Sequence, residues 1–507
     1  MANDYIEATR VFHEITKHSY TSVRSSPHFL DWDTKPLLYK IYPDAAAISL
    51  PHDFNFSQAP ALHAIVHEPS SQPVARRIGL ENLTGLLFSA GGLTRKNRVD
   101  GEEYHFRAVA SAGALYPIEM YLAAGDVEGL EPALYHFSPA DLKLRLLRRG
   151  DWRAFIANSA ANRLDLYHTP AIVLLTSIFW RSTWKYRARA YRYCFWDAGM
   201  VLANLAAAAS AEEIAVSLIT NFVDKDLESL LGVDGRREGV VALATLGTCA
   251  DLIADSPTLE PFYIESIPLS SQETEYDSLI KIHAESRLLD RNEVKTVTAA
   301  SLEPPELATS PAPGAISRFE SIAPQEALTI DQTILRRGST RVFARAPLPA
   351  RELATILASS RVHPHADFPP LTDTYLIVNA VEGLASGAYH YRRESGDFEL
   401  LKPGGFRVEA RYLCLEQRLG ADCAALVVYM TDLERVLRAL GNRGYRDAHL
   451  EAGVLGGRAY LAAYALGRGA TGLTFYDDDT TDFFASHAAG KSPLLMVALG
   501  VPRSQRV

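Results

Sequence analysis

The stretch that decides the fold occurs twice, as GLEPALYHF at residues 129–137 and as GLASGAYHY at residues 383–391. The copies lie 254 residues apart (383 − 129), and this offset holds without a gap for the 71 positions from 129 to 199. At its end the offset pairs Ala198–Gly199 with Ala452–Gly453. A chance match would not keep its register through strand, loop and helix, so we infer that one ancestral domain was copied once.

The length of 507 residues also favours two domains, because a single core stops growing at about 250 to 300 residues. We place the first domain, with an N-terminal extension, at residues 1–264 and the second at residues 324–507. The linker, residues 265–323, contains SLEPPELATSPAPGAIS, which has no apolar period. Helical spacing from Tyr276 to Leu289 predicts that part of this linker is ordered against a domain surface.

Short, bounded apolar runs indicate buried strands in both copies, for example AIVLLTSI at residues 171–178 and AALVVYM at residues 424–430. The Ala-rich stretches Phe195–Ala209 and Leu450–Leu466 are long enough to be buried central helices. Strands interleaved with helices in this way predict an α+β fold in each copy, with helices covering the faces of a sheet.

Composition excludes several classes of function. The net charge of −9, with no dense block of Lys and Arg, argues against nucleic acid as a partner. The longest apolar run, Pro170–Trp180, is too short to span a membrane, and the N-terminus lacks the apolar core of a signal peptide, so we expect a soluble cytoplasmic protein. No CxxC pair or Cys/His spacing predicts a metal site. The scattered cysteines are Cys194, Cys249, Cys414 and Cys423.

The second copy opens with ILRRGSTRVFARAPLP, in which Arg337, Ser339 and Arg341 alternate. On an extended segment this spacing puts two guanidinium groups and a hydroxyl on one side, a geometry that suits a terminal phosphate. The alternative is an ordinary solvated basic edge.

The first copy contains RAVASAGALYPIEMYL, which begins at Arg107. Small residues just ahead of a strand let the backbone approach a planar ligand closely, and Pro117 fixes the exit from this loop. The alternative is an ordinary tight turn. The loop consists of Ser111, Ala112, Gly113, Ala114, Leu115 and Tyr116.

Together with LDWDTKPLLYKIYP (30–43), WKYRARAYRY (184–193) and DAGMVLANL (197–205), these segments resemble the SagB-type branch of the nitroreductase family. That branch includes the azoline dehydrogenases and cyanobactin oxidases that make thiazole and oxazole rings in peptides. The resemblance covers nearly the whole chain except the linker. It implies an α+β fold of two tandem nitroreductase-like, FMN-dependent domains that form a pseudo-dimer within one chain, working as a monomer or as a homodimer.

The resemblance also implies where FMN binds. In this family FMN sits at a dimer interface, where one subunit supplies RxSxR and the other the small-residue loop. Here the second copy has HPHADFPP in place of that loop, and LYKIYPDAAAISLP in the first copy has no RxSxR, so we expect a single FMN per chain. Further contacts are implied for Ala470-Thr471-Gly472 and for two C-terminal arginines. The implied cofactor residues are Arg107, Ser111 to Tyr116, Arg337, Ser339, Arg341, Thr471, Gly472, Arg503 and Arg506.

Lys185 and Tyr186 resemble the Lys-Tyr pair that azoline dehydrogenases use near the flavin, and at the same offset the second copy has Ala439 and Leu440. The resemblance implies a catalytic role for the pair; the alternative is an exposed lysine beside a packing tyrosine. The sequence departs from the branch just beyond this pair, where Arg187 and Ala188 replace the usual glycine and acidic residue, and again where DAGM replaces DAGH. His136 and His390 recur in both copies, so we expect them to be structural.

The expected function is therefore an FMN-dependent oxidoreductase that oxidises thiazoline or oxazoline in a modified peptide, with a cyclodehydratase as an implied partner. One alternative is an NAD(P)H-dependent nitroreductase or quinone reductase acting on a small molecule, as in the wider family. Another, of a different class, is a binding or scaffold subunit that has lost catalysis.

Overall fold

A computed structural model describes residues 2–26, 28–54, 57–70, 78–99, 102–250, 255–301 and 314–503 of the chain. Each copy builds a seven-stranded, wholly antiparallel sheet. The strands of the first copy are β1 Ala47–Ser49, β2 Ile78–Gly79, β3 Leu93–Val99, β4 Glu102–Arg107, β5 Ile118–Ala124, β6 Val127–Glu128, β7 Ala133–Ser138, β8 Lys143–Arg149, β9 Ala171–Ile178, β10 Leu218–Ile219 and β11 Glu238–Leu246. The sheet order is β1-β8-β7-β5-β9-β11-β10.

The second copy repeats this topology. Its strands are β12 Ile316–Ser317, β13 Leu348–Pro349, β14 Asp373–Val378, β15 Val381–Glu382, β16 Gly387–Tyr391, β17 Phe398–Pro403, β18 Ala425–Thr431, β19 Gly469–Leu473 and β20 Ser492–Gly500, in the order β12-β17-β16-β14-β18-β20-β19. Even the register repeats: Tyr121 faces His136 in the first sheet, and Tyr375 faces His390 in the second. The short edge strand β12 lies inside the predicted linker. The sequence did not predict this strand, because two residues are too few to show an alternating pattern.

Helices cover the sheets and fill the space between them. They are α1 Glu7–Ile15, α2 Tyr20–Arg24, α3 Ala61–Ala64, α4 Leu80–Gly91, α5 Arg153–Ser159, α6 Leu164–Tyr167, α7 Phe179–Tyr186, α8 Ala190–Ala211, α9 Asp224–Leu231, α10 Asp277–Glu285, α11 Arg291–Ser301, α12 Ile330–Arg336, α13 Ala350–Arg361, α14 Arg407–Leu413, α15 Arg418–Asp422, α16 Leu433–Leu440, α17 Arg443–Ala465 and α18 Asp477–Phe483. Helix α10 confirms the helix expected in the linker. Part of the low-complexity run after it lies outside the described residues.

The two central helices, α8 and α17, cross at a pair of glycines. A Cβ at Gly199 would lie 2.4 Å from the Leu450 carbonyl oxygen, and one at Gly453 would lie 2.5 Å from the Trp196 carbonyl oxygen. Both pairs of positions are related by the 254-residue offset. The crossing is therefore a close backbone contact on the pseudo-twofold axis, and only glycine fits there.

Buried ion pairs exchange between the copies on either side of this crossing. Asp477 in the second copy accepts from Arg189 and Arg192 in the first, each at 2.8 Å. Asp224 in the first copy pairs with Arg443 and, at 3.0 Å, with Arg446. Because each copy supplies the carboxylate that neutralises the other's arginines, the two copies form one interlocked unit.

The N-terminal extension packs on the second copy, although it precedes the first. The Asn3 side chain donates to the Leu440 carbonyl at 3.1 Å, and Thr9 donates to the Asn442 side chain at 2.6 Å. Among the described residues, the helical stretch Phe179–Ala211 is long and apolar enough to cross a membrane by length and composition. Since 89% of that window is buried inside the protein, as in any core helix, this is weak evidence for a membrane span.

Candidate active site

The pseudo-twofold axis generates two clefts, each built from both copies. The chain segments ahead of α3 and α12 exchange hydrogen bonds across the axis: Ala61 N donates to Leu328 O at 2.9 Å and Ile330 N donates to Ala59 O at 3.0 Å. We call the first cleft the space bounded by residues 337–341 and β19 of the second copy and by the loop 111–116 of the first. The second cleft is bounded by residues 67–70 and β10 of the first copy and by the loop 363–370 of the second.

The loop at the first cleft is held by Asp197 on α8. Its carboxylate accepts hydrogen bonds from the Ser111 hydroxyl and, at 3.2 Å, from Ala112 N, while Ser111 Oγ accepts from Tyr116 N at 2.9 Å. Burial raises the pKa of Asp197 to about 7. The loop contains two non-glycine residues at positive φ, Ala114 at 53° and Tyr116 at 48°. Such strained backbone persists only where its surroundings enforce it, and it is typical of ligand sites.

Two of the predicted cofactor residues, Arg107 and Arg337, are buried behind this loop. The guanidinium of Arg337 donates to Arg107 O at 2.7 Å and to Ala108 O at 2.8 Å. The guanidinium of Arg107 donates to Leu38 O, and its backbone N donates to the Tyr116 hydroxyl at 3.2 Å. Burial lowers the pKa of both arginines. In this structure both guanidinium groups bond to backbone carbonyls and so brace the loop from behind.

Arg341 faces the opposite way and is exposed. It lines a solvent-open cleft of about 600 Å³ together with Arg503, which donates its backbone N to Val342 O at 3.0 Å. Arg345 lines the same cleft but is paired with Asp422 at 2.5 Å. Neither Arg341 nor Arg503 forms an ion pair with any described residue, so this end of the cleft presents two arginines to an anion. Arg506 lies outside the described residues.

Lys185 and Tyr186 end helix α7 beside this loop. Burial, and then the nearby charge of Arg341, lowers the pKa of Lys185. The Tyr186 hydroxyl packs on the loop, since a Cβ at Gly113 would come within 2.7 Å of it, and burial raises the pKa of Tyr186. The Tyr186 ring stands edge-on to Tyr193, with ring centroids 4.9 Å apart. The structure thus brings the pair from the first copy and Arg341 from the second to one place.

The opposite wall is the edge strand β19. Gly472 is exposed, and a Cβ there would meet nothing closer than the Tyr460 hydroxyl at 3.6 Å, so the strand backbone borders free space. The Tyr460 hydroxyl accepts from Gly472 N and is hydrogen bonded to Ser339. Thr340 N donates to Ala470 O at 2.9 Å, which fixes the segment 337–341 to the strand. Sequence reasoning missed Tyr460; the available signal was a tyrosine where the other Ala-rich helix has Ala206.

In the second cleft, hydrogen bonds bridge the loop and the edge strand at the corresponding place. Leu218 N on β10 donates to His365 O at 2.8 Å, and Asp367 N donates back to Leu218 O at 3.1 Å. Ser217 Oγ is also hydrogen bonded to His365 Nδ1, at 2.8 Å. In the first cleft, by contrast, no hydrogen bond joins residues 111–116 to residues 471–474, all of which the structure describes. The two clefts thus differ in how the loop is joined to the neighbouring strand, although the second cleft also contains a cavity of about 840 Å³, lined in part by residues 67–70, Leu218 and His365.

The sequence analysis compared the wrong segment of the first copy, residues 38–51, with the RxSxR segment of the second copy. Residues 38–51 include the outer strand β1, whereas the true counterpart, residues 67–70, follows α3 as residues 337–340 follow α12. The sequence there is His-Glu-Pro-Ser, without arginine. The expectation that the first copy lacks this motif holds, although its location was wrong.

The recurrent histidines lie outside both clefts in buried polar clusters. His136 Nε2 is 2.7 Å from Glu119, and His390 Nδ1 is 3.6 Å from Glu399. The ligand atoms of His390, Glu399 and His487 lie within 4.8 Å of one another, a grouping that the sequence spacing did not predict. Because Glu399 also accepts from Arg392 at 3.0 Å, the geometry is that of a paired polar core.

The first cleft suits FMN on three observations. No hydrogen bond joins residues 111–116 to residues 471–474 of the edge strand, Gly113 and Gly472 expose backbone that can approach a planar ring, and Arg341 and Arg503, which have no carboxylate partner among the described residues, line the neighbouring cleft. Fold and cleft together define a class: an α+β pseudo-dimer with composite clefts built from both copies.

The nitroreductase family model matches residues 80–248 and 334–501, one match in each copy. The chain therefore belongs to the nitroreductase family. The predicted family and the fold of two tandem domains are confirmed. The crystal structure of a nitroreductase from Anabaena variabilis superposes with a TM-score of 0.76 over 98% of this chain and 99% of that chain, at 24% identity, which supports the fold.

Two curated relatives align with parts of the chain. The protein MJ1384 of Methanocaldococcus jannaschii, described as a nitroreductase, is 26% identical over 168 residues, which are 33% of this chain and 79% of the relative. The trifolitoxin-processing protein TfxB of Rhizobium leguminosarum is 28% identical over 187 residues, or 36% of this chain. The alignment with TfxB covers 49% of that relative's length.

Proposed function

We propose that the protein is an oxidoreductase that binds one FMN in the first cleft and oxidises a thiazoline or oxazoline ring in a modified peptide. The observation that carries the proposal is that Arg341 of the second copy lies beside Lys185, Tyr186 and the loop 111–116 of the first copy, whereas residues 67–70 of the second cleft contain no arginine. FMN supplies a two-electron acceptor for hydride. Arg341 and Arg503 would hold its phosphate, and the exposed backbones of Gly113 and Gly472 would allow its ring to approach.

The protein's own contribution to the reaction is proton transfer. An azoline that becomes aromatic loses two hydrogens, one as hydride and one as a proton. Lys185 takes the proton, because burial and Arg341 favour its neutral amine. Tyr186, whose hydroxyl stays protonated because its pKa is raised, fixes the loop against the amine.

A peptide substrate is supported by the resemblance to the SagB-type branch and by the similarity to a trifolitoxin-processing protein. A cyclodehydratase is the class of partner that would supply the azoline. The similarity to MJ1384 favours a second candidate, reduction of a nitroaromatic or quinone with NAD(P)H. The two differ in the electron donor, since azoline oxidation needs no nicotinamide.

The first test is the visible spectrum of the purified protein, with release and quantification of the chromophore. We expect about one FMN per chain. A flavin-free protein that binds no added FMN would contradict the proposal and leave a scaffold role. Two FMN per chain would contradict the assignment of FMN to the first cleft alone.

The second test mixes the FMN-loaded protein with a thiazoline peptide without oxygen or nicotinamide. We expect loss of flavin absorbance and formation of thiazole. Lys185→Ala should slow this step about 10²-fold or more, within the usual range for a positioned base, and the loss should be smallest at high pH, where solvent base replaces the amine. Lys225→Ala, which removes an exposed lysine on α9, is the control and should react normally. Reduction that proceeds only with NAD(P)H and a nitroaromatic would favour the second candidate.

A further inference from the structure

The cavity of about 840 Å³ in the second cleft has the size of a ligand site. It lies beside the loop 363–370 and β10, whose backbones are joined by the hydrogen bonds of Leu218 with His365 and Asp367. These bonds occupy the place where a flat ring would enter between loop and strand, so the cavity suits a ligand other than flavin. Its volume is within the range of about 300 to 1,000 Å³ that is typical of sites for small organic ligands.

Two side chains distinguish this cavity from the first cleft. Ala206 on α8 lines the cavity, and its counterpart at the 254-residue offset is Tyr460, which borders the first cleft. Arg458 on α17 also lines the cavity, and its counterpart is Asn204, whose amide donates to two backbone carbonyls at 2.9 and 3.1 Å. The second cleft thus has a methyl group in place of a phenol ring and a cation in place of a neutral amide.

Arg458 is a buried cation with few partners. It is 6% exposed, and its one hydrogen bond runs from Nη1 to Val362 O at 2.5 Å. Every other buried arginine of the described chain donates to at least two oxygen atoms, as Arg337 does. Burial lowers the pKa of Arg458 only to about 10, so the guanidinium is charged at neutral pH. A buried charge is costly unless it is paired, and a ligand anion in the cavity would pair it.

The other groups of the cavity wall limit the charge and shape of that ligand. Among the described residues that line the cavity, Arg458 is the only lysine or arginine, whereas Glu68 and Asp165 are acidic. Asp165 is paired with Arg163 at 2.7 Å, but Glu68 would repel a ligand with two negative charges. A single carboxylate matches one guanidinium fork. The apolar part of the wall consists of Leu164, Ile214, Val216, Leu218 and Pro364.

We propose that the second cleft binds a small carboxylic acid with an apolar body. The carboxylate pairs with Arg458, and the body lies along the apolar wall, in space that Ala206 leaves free. This inference goes beyond the proposed function and does not depend on it, since the cavity lies in the cleft to which no FMN is assigned. The duplicated cleft that carries no RxSxR motif is then a separate ligand site.

The test titrates octanoate, octanamide and octyl phosphate calorimetrically into the protein at pH 8, with saturating FMN present. The three probes share an eight-carbon chain and differ in the head group. We expect octanoate to bind most tightly and to leave the flavin absorbance unchanged. Arg458→Gln should weaken octanoate about 10-fold or more and leave octanamide unchanged, while Arg458→Lys should retain part of the affinity. Arg438→Ala, which removes an exposed arginine on α16, is the control.

Two further variants keep the test valid if Arg458→Gln does not fold. Ala206→Tyr introduces the side chain of the first cleft and should weaken octanoate and octanamide alike. Glu68→Gln removes the competing carboxylate and should tighten octanoate about twofold.

Three results would overturn the inference. They are equal affinity for octanoate and octanamide, tighter binding of octyl phosphate, and binding of octanoate that none of these variants alters. A protein that binds octanoate in this way but contains no flavin would overturn the proposed function alone.

Discussion

The first and second clefts carry a carboxylate at the same position of their central helices, and the two groups behave differently. Asp197 holds the first loop through a hydroxyl and an amide, and burial raises its pKa to about 7. Glu451 accepts from Leu371 N at 2.8 Å and also pairs with Arg393 at 3.1 Å. Although burial opposes this, Arg393 and a hydrogen bond from His363 bring the pKa of Glu451 down to about 2.

The difference shows that the two loops are anchored in different ways. In the second cleft Glu451 holds the loop from below and β10 holds it from the front, while a cavity of about 840 Å³ remains beside it. In the first cleft Asp197 holds the loop from below, and no hydrogen bond joins it to residues 471–474 in front. The loop of the first cleft is therefore the one whose front is not bonded to the neighbouring strand.

The largest expected effect comes from the buried ion pairs that flank the clefts. Asp477 follows β19 at the first cleft, and Asp224 follows β10 at the second. Replacing either by Asn leaves two arginines buried without a carboxylate, which should lower the free energy of unfolding by about 3 to 5 kcal/mol. Chemical denaturation of the apoprotein measures this loss.

The two variants should differ in their affinity for FMN, measured at a temperature where both are folded. Asp477→Asn should weaken FMN binding, because Asp477 anchors the end of β19, the edge strand of the first cleft. Asp224→Asn should leave FMN affinity unchanged. Equal weakening in both would show that the clefts are not independent.

The two carboxylates also predict opposite pH behaviour. A carboxyl group whose pKa is about 7 when folded and about 3.8 when unfolded stabilises the fold at low pH and loses that contribution as pH rises from 4 to 7. Asp197→Asn removes this dependence. The free energy of unfolding of Asp197→Asn, relative to that of the parent protein, should therefore increase by about 1.4 kcal/mol per pH unit from pH 4 to pH 7 and then level off.

Glu451→Gln provides the matched comparison. The lowered pKa of Glu451 stabilises the fold above pH 4.5, and this contribution is lost only as pH falls toward 2. Between pH 5 and 8 the variant should be less stable by a constant amount. Denaturation curves at four pH values in this range suffice, and a sloping difference for Glu451→Gln would contradict the assignment.

Much of this arrangement can be predicted from the sequence, because the repeated segments at an offset of 254 residues and the small-residue loop are both recognisable as short sequence patterns. The register fails upstream of β5, where Leu80 of α4 and Ala350 of α13 are 270 residues apart. The first copy has an inserted hairpin, β3 and β4, between α4 and β5. A gap of this kind hides the counterpart of RxSxR from a fixed-offset comparison.

The directions of the side chains were the other feature that could not be predicted from the sequence. Arg337 and Arg341 share one motif, yet the first donates to backbone carbonyls and the second faces the cleft. Which arginine meets a ligand depends on carbonyl groups more than 200 residues away in the chain. Tyr460 likewise gains its place only because α17 runs behind β19. Long-range packing, and not local spacing, decides both.

The smallest expected change in stability is also the sharpest test of where FMN lies in the first cleft. A Cβ at Gly472 meets no atom of the chain within 3.6 Å, so Gly472→Ala should change the free energy of unfolding of the apoprotein by less than about 0.5 kcal/mol. If the ring of FMN lies against this backbone, the added methyl group occupies its space, and FMN affinity should fall about 10-fold or more, as measured by fluorescence titration. Gly405→Ala, where a Cβ would meet nothing within 4 Å, is the matched control and should bind FMN normally. Unchanged FMN affinity in Gly472→Ala would show that the ring does not lie against β19. The contrast between the two clefts would then no longer explain where FMN binds.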